Sequence, residues 1–107
     1  SDTIIDPVEI KPIPNIYIPN AFTPNQDGTN ETFKPKGNNV NWLTYRMVIY
    51  DRWGEMMFTT TDINNGWDGT HMNNGENCMQ GVYSYIIWVE DNEKNPLKYV
   101  GIVVLYR

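Results

Sequence analysis

Residues 82–106 read Val-Tyr-Ser-Tyr-Ile-Ile-Trp-Val-Glu-Asp-Asn-Glu-Lys-Asn-Pro-Leu-Lys-Tyr-Val-Gly-Ile-Val-Val-Leu-Tyr, and this stretch decides the fold. Two runs within it, 82–90 and 99–106, are built mostly from β-branched and aromatic residues, the types that fit a pleated, half-buried surface. Between them 91–96 is a polar connection of turn-forming residues, so the whole predicts a long hairpin. The first run is apolar on both faces, with Tyr83, Tyr85, Ile87 and Val89 on one and Val82, Ile86 and Trp88 on the other. That pattern suits a central strand or a face covered by loops, and leaves open which face is inner.

Outward from the hairpin, similar runs lie at 16–18, 45–50 and 55–60, each bounded by turn residues. In the second, alternation sets Tyr45, Met47 and Ile49 on one face as core, with Arg46, Val48 and Tyr50 opposite. Composition agrees with an all-β chain. Of 107 residues, 14 are Asn, 8 Gly and 7 Pro, a density of helix breakers that nearly excludes a helical protein. The aromatic share of 13% argues against disorder, and the length fits one domain able to fold without disulfides. Residues 1–14, with three prolines and alternating acidic and aliphatic residues, suit an extended leader from a preceding domain, which places the domain proper at 15–107.

Charge and chemistry exclude several functions. The formal charge is −5, so nucleic acid is an unsuitable partner, and scattered single cations offer nothing to anionic lipid. Cys78 stands alone, which rules out an internal disulfide and a thiolate metal cluster. The most apolar run, 99–106, is too short to cross a bilayer as a helix, and no signal peptide is expected directly before residue 1. If the parent protein is exported, the chain is expected to be an internal or terminal piece of it. An enzyme finds little support. His71 is the sole histidine, the serines are Ser1 and Ser84, and Cys78 lies two residues from Glu76 with no cation nearby to favour a thiolate.

The turns are more informative. Asp51-Arg52-Trp53-Gly54 has Asp first and Gly fourth, as a type I turn followed by a left-handed bulge residue requires. It puts Arg52 and Trp53 at a hairpin tip, where Trp53 is either an exposed contact or a plug folded back on the sheet end. Asn65-Gly66 and Asn74-Gly75 flank Trp67-Asp68-Gly69-Thr70, so 66–81 reads as a glycine-hinged loop anchored by Trp67. In Thr23-Pro24-Asn25-Gln26-Asp27-Gly28-Thr29-Asn30-Glu31 the oxygen donors and glycine resemble part of a calcium loop, with Asn25, Asp27, Thr29 and Glu31 as weak ligand candidates. Thr23 and Lys34 occupy the places of the first carboxylate and the bidentate Glu, so an Asx-rich turn is the simpler reading. Trp42, Trp53, Trp67 and Trp88 could line a sugar-stacking groove only if exposed and coplanar, and a core this small needs at least two of them.

Five blocks together resemble a known family. They are Ile18-Pro19-Asn20-Ala21-Phe22-Thr23-Pro24-Asn25-Gln26-Asp27-Gly28-Thr29-Asn30, Met47-Val48-Ile49-Tyr50-Asp51-Arg52-Trp53-Gly54-Glu55, Gly66-Trp67-Asp68-Gly69-Thr70, Gly81-Val82-Tyr83-Ser84-Tyr85, and residues 101–107. Their order resembles the gliding motility-associated C-terminal domain of Bacteroidota, the type B sorting domain of the type IX secretion system. Asp51, Gln26 and Glu31 stand where Asn, Gly and Asp are usual. The resemblance implies an Ig-like antiparallel β-sandwich of about seven strands that acts as a non-catalytic sorting signal. A large cargo protein would pass through the periplasm to the cell surface or the medium, read by outer-membrane components that include a PorP/SprF-like protein. No cofactor is implied.

On this reading Asn25, Asp27, Gly28, Asn30, Arg52, Trp53 and Arg107 are expected to meet the partner. Trp67, Asp68, Gly69, Gly81 and Tyr83 are expected to be structural. The alternative is a calcium- or carbohydrate-dependent adhesion module of a cell-surface protein.

Overall fold

The computed structural model describes residues 14–24 and 32–107. Seven strands occur among them: β1 (Asn15–Tyr17), β2 (Ala21–Phe22), β3 (Lys36–Asn38), β4 (Val40–Tyr50), β5 (Met56–Thr60), β6 (Gly81–Asp91) and β7 (Pro96–Leu105). No helix is present among the described residues. β1 and β3 form one antiparallel pair, and the remaining strands form a five-stranded sheet in the order β2-β7-β6-β4-β5. The two sheets make a sandwich-like arrangement, and the larger keeps the neighbour order of the immunoglobulin GFC sheet with its extra C′ strand. The all-β sandwich expected from the sequence is therefore the fold.

One pairing departs from a wholly antiparallel arrangement. β2 runs parallel to β7, Ala21 opposite Val104 and Phe22 opposite Leu105. Ile18-Pro19-Asn20 carries the chain from the small sheet to the large one, and Pro19, with no N–H to donate, suits that crossing. The crossing strand docks by backbone bonds from the Val104 N–H to the Asn20 carbonyl and from the Tyr106 N–H to the Phe22 carbonyl.

Strand limits differ from the sequence reading for identifiable reasons. β7 begins at Pro96 rather than Tyr99, because its first residues pair only with β6 and a proline whose nitrogen faces away costs no ladder bond. β4 begins at Val40, five residues earlier than the alternation indicates, because its register against β6 is interrupted between Asn41 and Arg46. There the Thr44 hydroxyl stands in for a ladder acceptor, taking the Glu90 N–H at 2.8 Å, while Leu43 is 94% exposed. β2 and β3 are too short to carry a readable alternation.

The inner face is settled by burial. Tyr45, Met47 and Ile49 of β4, Tyr83, Tyr85, Ile87 and Val89 of β6, and Val103 and Leu105 of β7 are all buried in one cluster. Phe22, Phe33 and Trp67 close this cluster, with the Trp67 ring centroid 5.2 Å from Phe22 and 5.0 Å from Tyr83. Gly101 is required opposite Tyr85, since a Cβ there would run into the tyrosine ring. The outer face is unevenly covered. Val48 is buried between Thr59 and Ile86 in register, whereas Val82, Val100 and Ile102 are exposed.

Candidate functional site

The β4–β5 connection has the turn its sequence predicts. The Gly54 N–H bonds the Asp51 carbonyl at 3.1 Å, and Gly54 takes φ +85°, as the bulge position demands. Asp51 Oδ1 accepts the N–H groups of Trp53 (2.8 Å) and Glu55 (2.9 Å), so one carboxylate fixes the whole turn. The tip points Trp53 into solvent, 79% exposed, with the Arg52 guanidinium 4.9 Å over its ring. Of the two readings of Trp53, contact or plug, the geometry excludes the plug: the ring stands in water on a turn whose backbone Asp51 holds.

The loop between β5 and β6 packs beside this tip. Trp67 is fully buried, and its indole N–H donates to the Thr70 carbonyl at 2.9 Å. Its backbone exchanges both hydrogen bonds with Phe33, at 2.8 and 2.9 Å, which ties the loop to the segment leading into β3. Asp68 Oδ1 accepts the Thr70 hydroxyl (2.6 Å) and N–H (3.1 Å), closing an Asx turn. Gly69 takes φ +86°, and a Cβ there would lie 3.0 Å from the Arg107 guanidinium. In Trp-Asp-Gly, then, the tryptophan anchors the loop, the aspartate closes its turn and the glycine reverses its backbone.

Arg107 proves to be internal bracing. Its Nη2 donates to the Gly69 carbonyl at 2.5 Å and its Nε to the Cys78 carbonyl at 2.9 Å, while its N–H reaches the Gln80 side chain at 2.9 Å. The Gly69 carbonyl also accepts the Cys78 N–H at 2.8 Å. The cation expected on sequence grounds to face a partner thus also braces two loop carbonyls. Nothing in residue order signals this, because the carbonyls lie 38 and 29 residues away.

Between tip and loop lies a cleft of about 220 Å³ lined by Arg52, Trp53, Met57, His71, Cys78, Met79 and Tyr83 among others. Its walls are fixed by polar contacts the sequence did not announce. The Tyr83 hydroxyl donates to the Met79 carbonyl at 2.6 Å. His71 Nδ1 accepts the Asn73 N–H at 3.1 Å, which leaves the ring proton on Nε2, 3.1 Å from Glu55 Oε2. The histidine therefore joins loop to hairpin. Cys78 is buried with Sγ 3.8 Å from the Met57 sulfur, and burial pushes its thiol above the ordinary value, Arg107 pulling weakly the other way. A protonated buried thiol and a histidine engaged at both nitrogens provide no nucleophile–base pair.

Arg52, Trp53, Gly81 and Tyr83 line this cleft, with Trp67, Asp68, Gly69 and Arg107 bracing the loop that forms its other wall. Gly81, at φ +153°, opens β6 with its Cβ position 3.7 Å from Arg52. Asn25, Asp27, Gly28, Thr29, Asn30 and Glu31, and with them the calcium and loop-recognition expectations, lie outside the described residues. Among the described residues no group of three or more His, Cys, Asp or Glu is placed to hold a metal. The four tryptophans occupy separate environments: Trp67 in the core, Trp53 at the tip, Trp42 edge-on to Tyr45, and Trp88 beneath Arg46 on the outer face. They do not form one stacking groove.

The described residues thus form a two-sheet sandwich with an exposed aromatic tip beside a cleft lined by both polar and apolar side chains. The model of the CHU_C family, Type IX secretion signal domain, matches residues 16–105, and the chain belongs to that family. Membership gives it a sorting-signal role: interaction with the secretion system and export across the outer membrane. Comparison with curated proteins gave no match. No helix among the described residues is long and apolar enough to cross a membrane.

Proposed function

We propose that the chain is a non-catalytic address of type B, which directs an attached cargo protein through the type IX system and holds it at the cell surface. A PorP/SprF-like outer-membrane protein reads it at the hairpin-tip end. The observation that carries this reading is the Arg52–Trp53 pair, exposed yet fixed by Asp51 beside the cleft. Exposed aromatic and arginine side chains on a rigid turn are the residue types that dominate binding energy at protein interfaces. Residues 1–14 serve as the linker to the cargo, and recognition of a folded shape requires no cofactor.

The test is a fluorescent protein targeted to the periplasm with the 107-residue chain fused at its C-terminus, in a bacterium with a working type IX system. Fluorescence is expected outside the cell or on its surface; retention in the periplasm with the PorP/SprF-like partner co-expressed would falsify the proposal. Replacing Arg52→Ala and Trp53→Ala together is expected to abolish export while changing stability by no more than about 0.5 kcal/mol, as exposed positions do. A large loss of stability would instead make them structural.

A further inference from the structure

Along one side β7 pairs with β6 from end to end, but along the other it meets β2 only at Val104 and Leu105. From Pro96 to Val103 nothing among the described residues pairs with that second side. The phase of the edge follows from the N–H groups of Val104 and Tyr106, which reach toward β2. Strand alternation then turns the N–H and C=O of Lys98, Val100 and Ile102 outward in the same row. Their side chains stand on the outer sheet face, where Val100 is 66% and Ile102 59% exposed.

An open edge carrying apolar side chains is a template for another strand. Natural edges are blunted with proline and lysine, and here Pro96 and Lys98 guard only the first part. Charge narrows the occupant. Arg46, Trp88 and Lys98 form one row across three strands, with the Arg46 guanidinium 5.2 Å over the Trp88 ring. No described carboxylate lies within ion-pair distance of Arg46 or Lys98. In a chain of charge −5, two such cations beside an apolar edge favour an acidic segment. A second copy fits poorly, since an antiparallel pairing centred on Val100 sets Lys98 against Ile102 and brings two net-negative chains together.

We propose that the open edge of β7 takes an extended segment of a partner protein, added as a strand, with apolar side chains against Val100 and Ile102 and a carboxylate facing Lys98 and Arg46. A groove lined by Arg52, Val82, Ser84 and Ile102 leads to this face from the hairpin tip, so one partner can cover both. The proposal rests on the sorting-signal reading for the source of the partner, but not for the chemistry of the edge.

Two measurements test it on the full chain. In the export reporter, Val100→Pro removes one outward N–H where proline costs no internal ladder bond, and Lys98→Glu reverses the charge. Each is expected to lower export about tenfold, with the thermal midpoint little changed. If Val100→Pro unfolds the domain, Lys98→Glu carries the test alone. Amide hydrogen exchange is then followed with the peptide acetyl-Thr-Val-Thr-Val-Thr-Glu-Thr-amide, whose two valines and glutamate share one strand face. Exchange at Lys98, Val100 and Ile102 is expected to slow about fivefold, and much less with Lys in place of Glu.

Export of the wild type and both variants alike overturns the edge proposal and leaves the sorting signal standing. Retention of the wild type overturns the sorting signal, and the peptide then decides the edge alone. Unchanged exchange, or an equal response to both peptides, overturns the strand addition or its charge preference. Slowing caused by protein concentration alone assigns the edge to a second copy and overturns the proposal.

Discussion

Trp67 and Arg107 show how differently two residues can be read at the scale of the side chain. A tryptophan between Asn-Gly turns in a long loop has few roles but anchor, and Trp67 is fully buried. Trp67→Ala is expected to cost about 3–5 kcal/mol in chemical denaturation, the range for emptying a large aromatic site. Arg107 is expected from the family resemblance to meet a partner. Its partners are backbone carbonyls of Gly69 and Cys78, invisible to any pattern of residue types. Arg107→Ala is expected to destabilise by about 1.5–3 kcal/mol, since charged hydrogen bonds to partly buried carbonyls are lost. Arg107→Lys is expected to restore only part of that, because an ammonium cannot span two carbonyls as a planar fork does.

Two hairpin connections of the large sheet repeat one design at the scale of the element. In the first, Asp51 Oδ1 accepts the N–H groups two and four residues on, and the residue between takes a positive φ. Asp91 does the same with Glu93 (2.8 Å) and Asn95 (2.9 Å), and these bonds with the Asn95 side chain hold its carboxyl below the usual range. The difference lies at the left-handed position: Gly54 in one turn, Lys94 at φ 68° in the other. Left-handed backbone costs a non-glycine residue about 1–2 kcal/mol, part of which glycine returns through its freer unfolded chain. Lys94→Gly is therefore expected to raise stability by about 0.5–1 kcal/mol, read as a higher thermal midpoint. Asp51-Arg52-Trp53-Gly54 could be read from sequence as a type I turn with its bulge because the glycine announced the conformation. The matching geometry after Asp91 could not, because lysine announces nothing.

Across the whole molecule, protons couple the loop end to the fold. Burial raises the thiol of Cys78 and the phenol of Tyr83, neighbours at the cleft. A raised value means the folded chain holds a proton that the unfolded chain releases first. Stability is thus fully present below the ordinary thiol and phenol values and is lost as pH rises through the raised ones. Thermal midpoints measured from about pH 8 to 11 are expected to fall, and Cys78→Ala to flatten the early part of the fall. Stability independent of pH over that interval would mean that the cleft wall is open to water. The sequence by itself determined the strand class, the long C-terminal hairpin, the Asp51 turn and the Trp67 anchor, because each depends on period, propensity or one residue's backbone freedom. Which face of β6 is inner, the parallel docking of β2, the bracing by Arg107 and the edge of β7 that no described strand pairs were decided only by the tertiary structure. Each of those depends on which distant backbone groups find partners, and that is fixed only when the two sheets close on one core.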